Sequence, residues 1–374
     1  MKNLRPIAIY LPQFHPIPEN DKWWGKGFTE WTNVTRAKPL FQGHYQPHLP
    51  ADLGFYDLRV SEVREAQAKM AKQHGIYGFC YYHYWFNGKR LLERPFLEVF
   101  ESGKPDFPFM LCWANENWTR SWDGGTGQVI QKQQYSDEDH IRHIHTLIEF
   151  FKDRRYIRVG DKPVFAIFKS DDIPNIQNML QLWRLEAKKS GIDLYLVRFE
   201  SHGKNGKAYM VEGFDAAVEF QPHLVMSSKL PGLKTLRDEI NFATILRSAK
   251  YRMLTLISKM SGRRKQGVIK YQDLVTKDIA LYKQRENAYK LYPSVCVGFD
   301  NTPRRKDGYL VLENSTPELL GKWLNAKVEH FKPYSEEENM FFINAWNEWA
   351  EGNHLEPCLK WGKNYLEAVK HAFE

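Results

Sequence analysis

Eight short apolar runs punctuate the chain, at residues 6–11, 76–82, 107–113, 164–168, 194–199, 216–220, 294–299 and 340–345. They are near-continuous rather than alternating, the pattern of strands buried on both faces of a parallel sheet. Helical periodicity fills 60–74, 137–153, 175–190, 270–283, 316–331 and 361–373, between or after most of these runs. Ser136 or Asp137 is placed to cap the second of those helices. Parallel neighbours need crossover connections, and both faces of the sheet need cover, so repeated strand–helix units leave two architectures. The count of eight points to an α/β fold of the (β/α)8 TIM-barrel type. A doubly wound sheet is the alternative, because strand order cannot be read from one sequence. No Gly/Ser linker or internal repeat divides the 374 residues, so 1–374 reads as one domain.

Two stretches break the alternation. Residues 13–53 form a long Pro-, Trp- and His-rich loop after the first strand, and loops of that length in compact domains usually serve function. Residues 223–269 form a basic insertion after the sixth strand. Between 229 and 270 there are eleven Lys and Arg against two acids, a surplus of +9, so the rest of a chain of net charge +8 is close to neutral. That confinement argues against a nucleic-acid binder, whose basic surface would be spread more widely. Within the insertion, 242–260 alternates apolar and basic residues at roughly helical spacing. It reads either as a surface helix with a solvated basic face or as a peripheral contact with an anionic membrane or a polyanionic glycan.

The four cysteines, Cys80, Cys112, Cys296 and Cys358, are far apart and make no CxxC pair, which argues against a cysteine zinc site. The apolar stretch at 7–11 is too short for a signal peptide, and no run is long enough to span a membrane. Together these features point to a reducing, cytoplasmic setting.

In barrels the active site lies at the C-terminal ends of the strands. Polar and aromatic residues follow nearly every apolar run: Gln13 and His15; Tyr82, His83 and Trp85; Trp113, Asn115, Glu116 and Trp118; Glu200; Asp300; and Asn347 and Trp349. Glu30 and Trp31 lie in the long first loop. Amides, carboxylates and indoles converging at one rim suit a polyol ligand, so these are candidate sugar contacts, with rim packing as the plainer alternative. Asp300 has a second option, capping the next loop. His140, His143 and His145 form a helical cluster in which the first two share a face; a solvated helix face accounts for them better than zinc.

The sharpest local feature is Glu348 and Glu351, two acids three residues apart after the last strand. Glycoside cleavage needs such a pair, one to protonate the leaving oxygen and one as base or nucleophile. Burial against Trp346 and Trp349 would raise one pKa and leave the other carboxyl ionised. From spacing alone, an ordinary solvated loop with two acids is the readier reading.

The segment 342–357, FINAWNEWAEGNHLEP, resembles the final-strand motif of glycoside hydrolase family 99, the endo-α-mannosidases and endo-α-mannanases, and Gly298-Phe299-Asp300-Asn301-Thr302 resembles that family's penultimate segment. The stretches YLPQFHPIPEN (10–20), GFTEWTN (27–33), HYQP (44–47) and WANENW (113–118) are closer still to the family-99-like WbsX proteins of polysaccharide biosynthesis, a similarity that covers nearly the whole chain. The resemblance implies a barrel and retaining chemistry that needs no metal or cofactor. It also implies that Glu348 acts as base on a substrate 2-hydroxyl, which attacks C1, while Glu351 serves as acid/base. Where family 99 often carries His between the Trp and the second Glu, this chain has Ala350, so mannose specificity does not carry over. The implied function is a retaining glycoside hydrolase or transglycosylase acting on bacterial O-antigen or capsule polysaccharide. The alternatives are a glycosyltransferase of lipopolysaccharide or capsule biosynthesis, the usual label for WbsX proteins, and a noncatalytic glycan-binding barrel.

Overall fold

A computed structural model of the chain describes residues 3–120, 128–201, 205–227, 267–286, 288–305 and 308–374. Its frame is a ring of parallel strands: β1 (Arg5–Tyr10), β2 (Gly78–Phe86), β3 (Phe109–Trp113), β4 (Lys162–Ile167), β5 (Tyr195–Glu200), β6 (Ala216–Glu219), β7 (Leu291–Tyr292), β8 (Ser294–Cys296) and β9 (Met340–Asn344). Hydrogen bonding runs β7-β6-β5-β4-β3-β2-β1-β9-β8. Only Pro293 separates β7 from β8, and its carbonyl accepts from the Phe342 N–H, so the two short strands act as one stave and complete the ring. The fold is therefore the (β/α)8 barrel and not the doubly wound sheet. All eight apolar runs became staves because every one is buried on both faces; β3 and β9 have no exposed residue.

Helices cover the outside: α1 (Pro18–Trp24), α2 (Glu30–Arg36), α3 (Ser61–Gln73), α4 (Arg94–Ser102), α5 (Asp137–Phe151), α6 (Ile176–Lys189), α7 (His223–Ser227), α8 (Tyr271–Gln284), α9 (Pro317–His330) and α10 (Asn364–Phe373). Ser136 caps α5 by accepting from the Asp139 N–H, and Thr316 caps α9 from Leu319. Four of these helices, α1, α2, α4 and the five-residue α7, lie outside the expected helical stretches, although α4 has a clear apolar face. α1 and α2 are seven residues each inside the long first loop, and α4 is nine residues opened by Pro95 and closed by Gly103 in the left-handed region. After β5, the described residues show only a 3-10 turn, Lys207–Glu212.

Close packing between staves limits side chains at one position in particular. A Cβ on Gly78 would lie 2.6 Å from the Pro108 carbonyl, so β2 can approach the entry to β3 only with glycine there. All four cysteines are free and buried. The histidine cluster is not a solvated face: His140 and His143 are buried and only His145 is exposed. His143 packs flat on Trp85, with ring centroids 4.5 Å apart, and meets His83 Nε2 at 2.9 Å. Among the described residues no three His, Cys, Asp or Glu side chains are placed to hold a metal ion together, and no helix is long and apolar enough to cross a membrane. The helix expected over 242–260, and with it nearly all of the basic stretch proposed to touch membrane or polyanionic glycan, lies outside the described residues.

Candidate active site

A cleft of about 410 Å³ opens where the staves end. Leu11 and Gln13 after β1, Tyr82 and Tyr84 of β2, Ala114 and Glu116 after β3, Phe168 and Lys169 after β4, Phe220 after β6, Phe299 after β8 and Glu348 and Glu351 after β9 all border it. Trp118, half-buried, is held edge-on by Trp23, Tyr84 and Phe86 at ring separations of 5.8, 5.2 and 5.5 Å. Trp24 of α1 adds a second indole to the lining. Aromatic faces interleaved with amides and carboxylates match the amphipathic surface of a sugar ring.

Glu348 and Glu351 are joined through one residue, Arg304, in the loop after β8. Its Nη2 donates to Glu348 Oε2 at 2.8 Å, its Nη1 to Glu351 Oε1 at 2.8 Å and its Nε to Glu30 Oε1 at 2.7 Å. One guanidinium thus serves three carboxylates. Burial pushes the Glu348 carboxyl up to about 8; Arg304 pulls against that, while Glu351 and Glu30 reinforce it. Burial also raises Glu351, with Arg304 again opposing and Glu30 adding to the rise. The expectation that one acid would be raised and the other left ionised therefore changes: both go up, because burial acts on both and the one cation opposing it is divided among three anions.

The loop carrying Arg304 is tied at its base. Asn301 N–H donates to the Leu310 carbonyl, and Leu310 N–H to Asn301 Oδ1 at 2.8 Å. Asp300 uses both oxygens to fix it, accepting from Thr302 N and Oγ1 on one, and from His44 Nε2 at 2.7 Å and Gln46 Nε2 at 2.6 Å on the other. Burial would raise Asp300, but those donors hold it below the usual carboxylate range. Asp300 is thus a loop anchor rather than a sugar contact.

Other candidate contacts divide by placement. Gln13, Tyr82, Glu116 and Trp118 border the cleft with the two acids. The rest are sealed in the wall and border no part of it. His83 pairs with His143, both held neutral by burial, and Trp85 Nε1 donates to Asp139. Trp113 donates to the Trp85 carbonyl, and Asn115 pins the Lys169 backbone at both N–H and C=O. His15 is buried against the Pro12 carbonyl, which it meets through Nδ1. Trp31 packs on Phe14, Tyr56 and Trp349. Glu200 accepts from Gly206 and Tyr289. Glu30 is wholly buried and reaches Glu348 and Glu351 through Arg304. Asn347 bonds both the N–H and the C=O of Leu11, and Trp349 donates to Glu356 at 2.6 Å while stacking on His354.

Several residues at the cleft were not foreseen: Arg304, Arg305, Tyr84 and Trp24. Tyr84 had a signal, since it is two residues from Tyr82 in the same strand and so shares its face. Arg304 had a weaker one. Two buried acids demand a counter-charge, and an Arg-Arg pair stands just beyond Asp300.

Comparison with known proteins agrees with this fold. Two solved structures match over nearly the whole chain: one described as a glycoside hydrolase-like protein (TM-score 0.57, 13% identity, 100% of this chain and 95% of that one), and the GH99 endo-α-mannosidase from Bacteroides thetaiotaomicron (TM-score 0.55, 12% identity, 98% and 96%). At those identities they establish the shared fold. Uncharacterized protein WxcX from two strains of Xanthomonas campestris pv. campestris is 39% identical over 368 residues, covering 98% of this chain and 49% of each relative. The chain spans about half the length of the curated relatives it matches. Residues 6–369 match the family model described as Glycosyltransferase WbsX, and the chain belongs to that family.

Proposed function

We propose that this chain breaks, and in some settings remakes, glycosidic bonds with retention of configuration on a bacterial surface polysaccharide, with Glu348 and Glu351 as the reacting pair. One observation carries the reading. The two carboxyls share a single guanidinium beside an open cleft walled by aromatic rings, and each gives only one oxygen to Arg304. In the first step Glu348 takes the proton of a sugar 2-hydroxyl as that oxygen attacks C1. The bond from C1 to the leaving oxygen breaks, and Glu351 protonates it. Water or a sugar hydroxyl then opens the 1,2-anhydro sugar at C1, giving its proton to Glu351 while O2 recovers a proton from Glu348. The upward shift of Glu351 is the direction a proton donor needs, whereas Glu348, raised to about 8, must first give up its proton before it can act as the base. The route requires a 2-hydroxyl trans to the leaving group, as in α-mannosides.

The second reading, transfer from an activated donor, is favoured by the family's description as a glycosyltransferase. One experiment separates the two. Bacterial O-glycans and a panel of aryl α-glycosides with a trans 2-hydroxyl are incubated with the protein, and products are read by mass spectrometry and NMR. Glu351→Gln should slow cleavage of natural glycan far more than of aryl glycoside, since a good leaving group needs little protonation; Glu348→Gln should damage both. Release of UDP or GDP from a nucleotide sugar on adding acceptor supports the transferase instead. Full glycan processing by both variants overturns the assignment.

A further inference from the structure

The geometry points to Arg304 and Glu30 as a paired positioning device that sets the direction and ionisation of the two reacting carboxyls from opposite sides of one charge. This rests on the reading of Glu348 and Glu351 above. A free carboxylate rotates about its last bond and presents either oxygen. Here Nη1 and Nη2 of one planar guanidinium each fix one oxygen, of Glu351 and Glu348 respectively, which leaves Glu348 Oε1 and Glu351 Oε2 as the oxygens free to meet a substrate. The third face of the guanidinium, Nε, is held by Glu30, which is wholly buried at the start of α2 and whose own backbone N–H is fixed to the Gln13 carbonyl.

Glu30 therefore locks Arg304 in place and, by drawing on the same positive charge, weakens the support it gives to the reacting pair. Removing the cation and removing its third anion should move the pair in opposite directions. Other charged or titratable groups around these carboxyls are Arg305, which lowers Glu351, the hydroxyls of Tyr82 and Tyr84, and Glu116, Lys169 and His223 along the same cleft. None of them touches all three acids, so Arg304 is the joint through which they are coupled. A purely structural cation at 304 would be replaced by lysine without a selective loss of kcat.

The test is a carbon NMR titration of the full chain with labelled glutamate carboxyls, the two resonances assigned by their loss in Glu348→Gln and Glu351→Gln. Arg304→Gln should raise both midpoints by about 1–3 pH units, the effect of removing an opposite charge in contact. Glu30→Gln should lower both, by less. On the aryl α-glycoside panel, the acidic limb of kcat/KM should follow the same displacements. Arg304→Lys, which keeps the charge and so guards against misfolding of the Gln variant, should hold the midpoints near wild type yet lower kcat more than it raises KM, because an ammonium cannot orient two carboxylates at once. Midpoints that stay put in Arg304→Gln, or that move the same way in Arg304→Gln and Glu30→Gln, overturn the inference whatever the activity. Opposite displacements alongside full glycan processing by Glu348→Gln and Glu351→Gln would instead overturn the functional reading, and with it the catalytic purpose of Arg304.

Discussion

Replacing Glu348 with glutamine should make the protein more stable at neutral pH and leave its stability unchanged in acid. The carboxyl is buried and its pKa in the folded chain lies near 8, against 4.5 for an ordinary glutamate. A carboxyl raised on folding contributes its full stability below the unfolded value and loses it as pH rises towards the folded one. At pH 7 the unfolded chain has already given up this proton and folding must take it back, which costs about 3 kcal/mol at 1.36 kcal/mol per unit between 4.5 and 7. Glutamine fills the same volume, still accepts from Arg304 and carries no such cost. With unfolding entropy near 2.1 cal/mol/K per residue, 3 kcal/mol corresponds to about 4 °C in a chain of 374 residues. Thermal melts of wild type and Glu348→Gln at pH 7 and pH 4.5 are the assay, with proton uptake on folding as an independent check. An equal gain at both pH values, or a lower Tm at pH 7, would refute the argument that this acid is stored in an unfavourable charge state.

Elsewhere the same reasoning gives different outcomes. Lys327 is completely buried between Glu219, Asp278 Oδ2 at 2.7 Å and the Ser294 carbonyl at 2.8 Å. Lys327→Met leaves buried Asp278 without an ion-pair partner and Glu219 with Arg285 alone, and should cost about 3–5 kcal/mol in urea denaturation; a loss below about 1 kcal/mol would show that the cluster is not acting as an ion pair. A Cβ at Gly298 would meet the carbonyl of Gly352, next to Glu351, at 2.8 Å. Gly298→Ala should therefore cost about 1–3 kcal/mol by overpacking and lower kcat for glycan cleavage more than it changes KM, since it displaces an acid and not the aromatic walls. Unaltered kcat in a folded variant would separate that contact from the chemistry.

The strands could be read from the sequence because burial on both faces forces an unbroken apolar composition, a signal that needs no partner. Short helices have no such signature: α1 and α2 are set by a proline or a capping threonine within seven residues, whereas the apolar face of α4, with Phe96, Leu97, Val99 and Phe100, was legible in the sequence. The site was read less evenly. Taking every polar or aromatic residue at a strand end as a sugar contact ignores the period of two. In β2, Tyr82 and Tyr84 face the cleft, whereas His83 and Trp85 point the other way, onto His143 and Asp139 of α5. Alternation alone would have divided that run correctly. Arg304 stands 44 positions from Glu348, and no local pattern joins them; only the closure of the barrel does.

The motif around the two acids is held from behind by a different kind of chemistry. Glu356 is buried and accepts from Trp349 Nε1 at 2.6 Å, Gln67 Nε2 at 2.6 Å and the Tyr56 hydroxyl at 2.8 Å. Burial lifts its pKa to about 7 even with those three donors lowering it. Asn347 Nδ2 reaches the same Tyr56 hydroxyl at 3.2 Å while tying down Leu11 of the first βα loop. The donors on this side are neutral, and on the cleft side both acids meet one shared cation, Arg304. A neutral network fixes backbone and indole without deciding which acid is charged, so the ionisation of Glu348 and Glu351 is set by their burial, by Arg304, Arg305 and Glu30, and by whatever enters the cleft. A substrate hydroxyl that hydrogen-bonds Glu348 then acts on a carboxyl already close to neutral titration, and small changes in its surroundings are enough to move the proton.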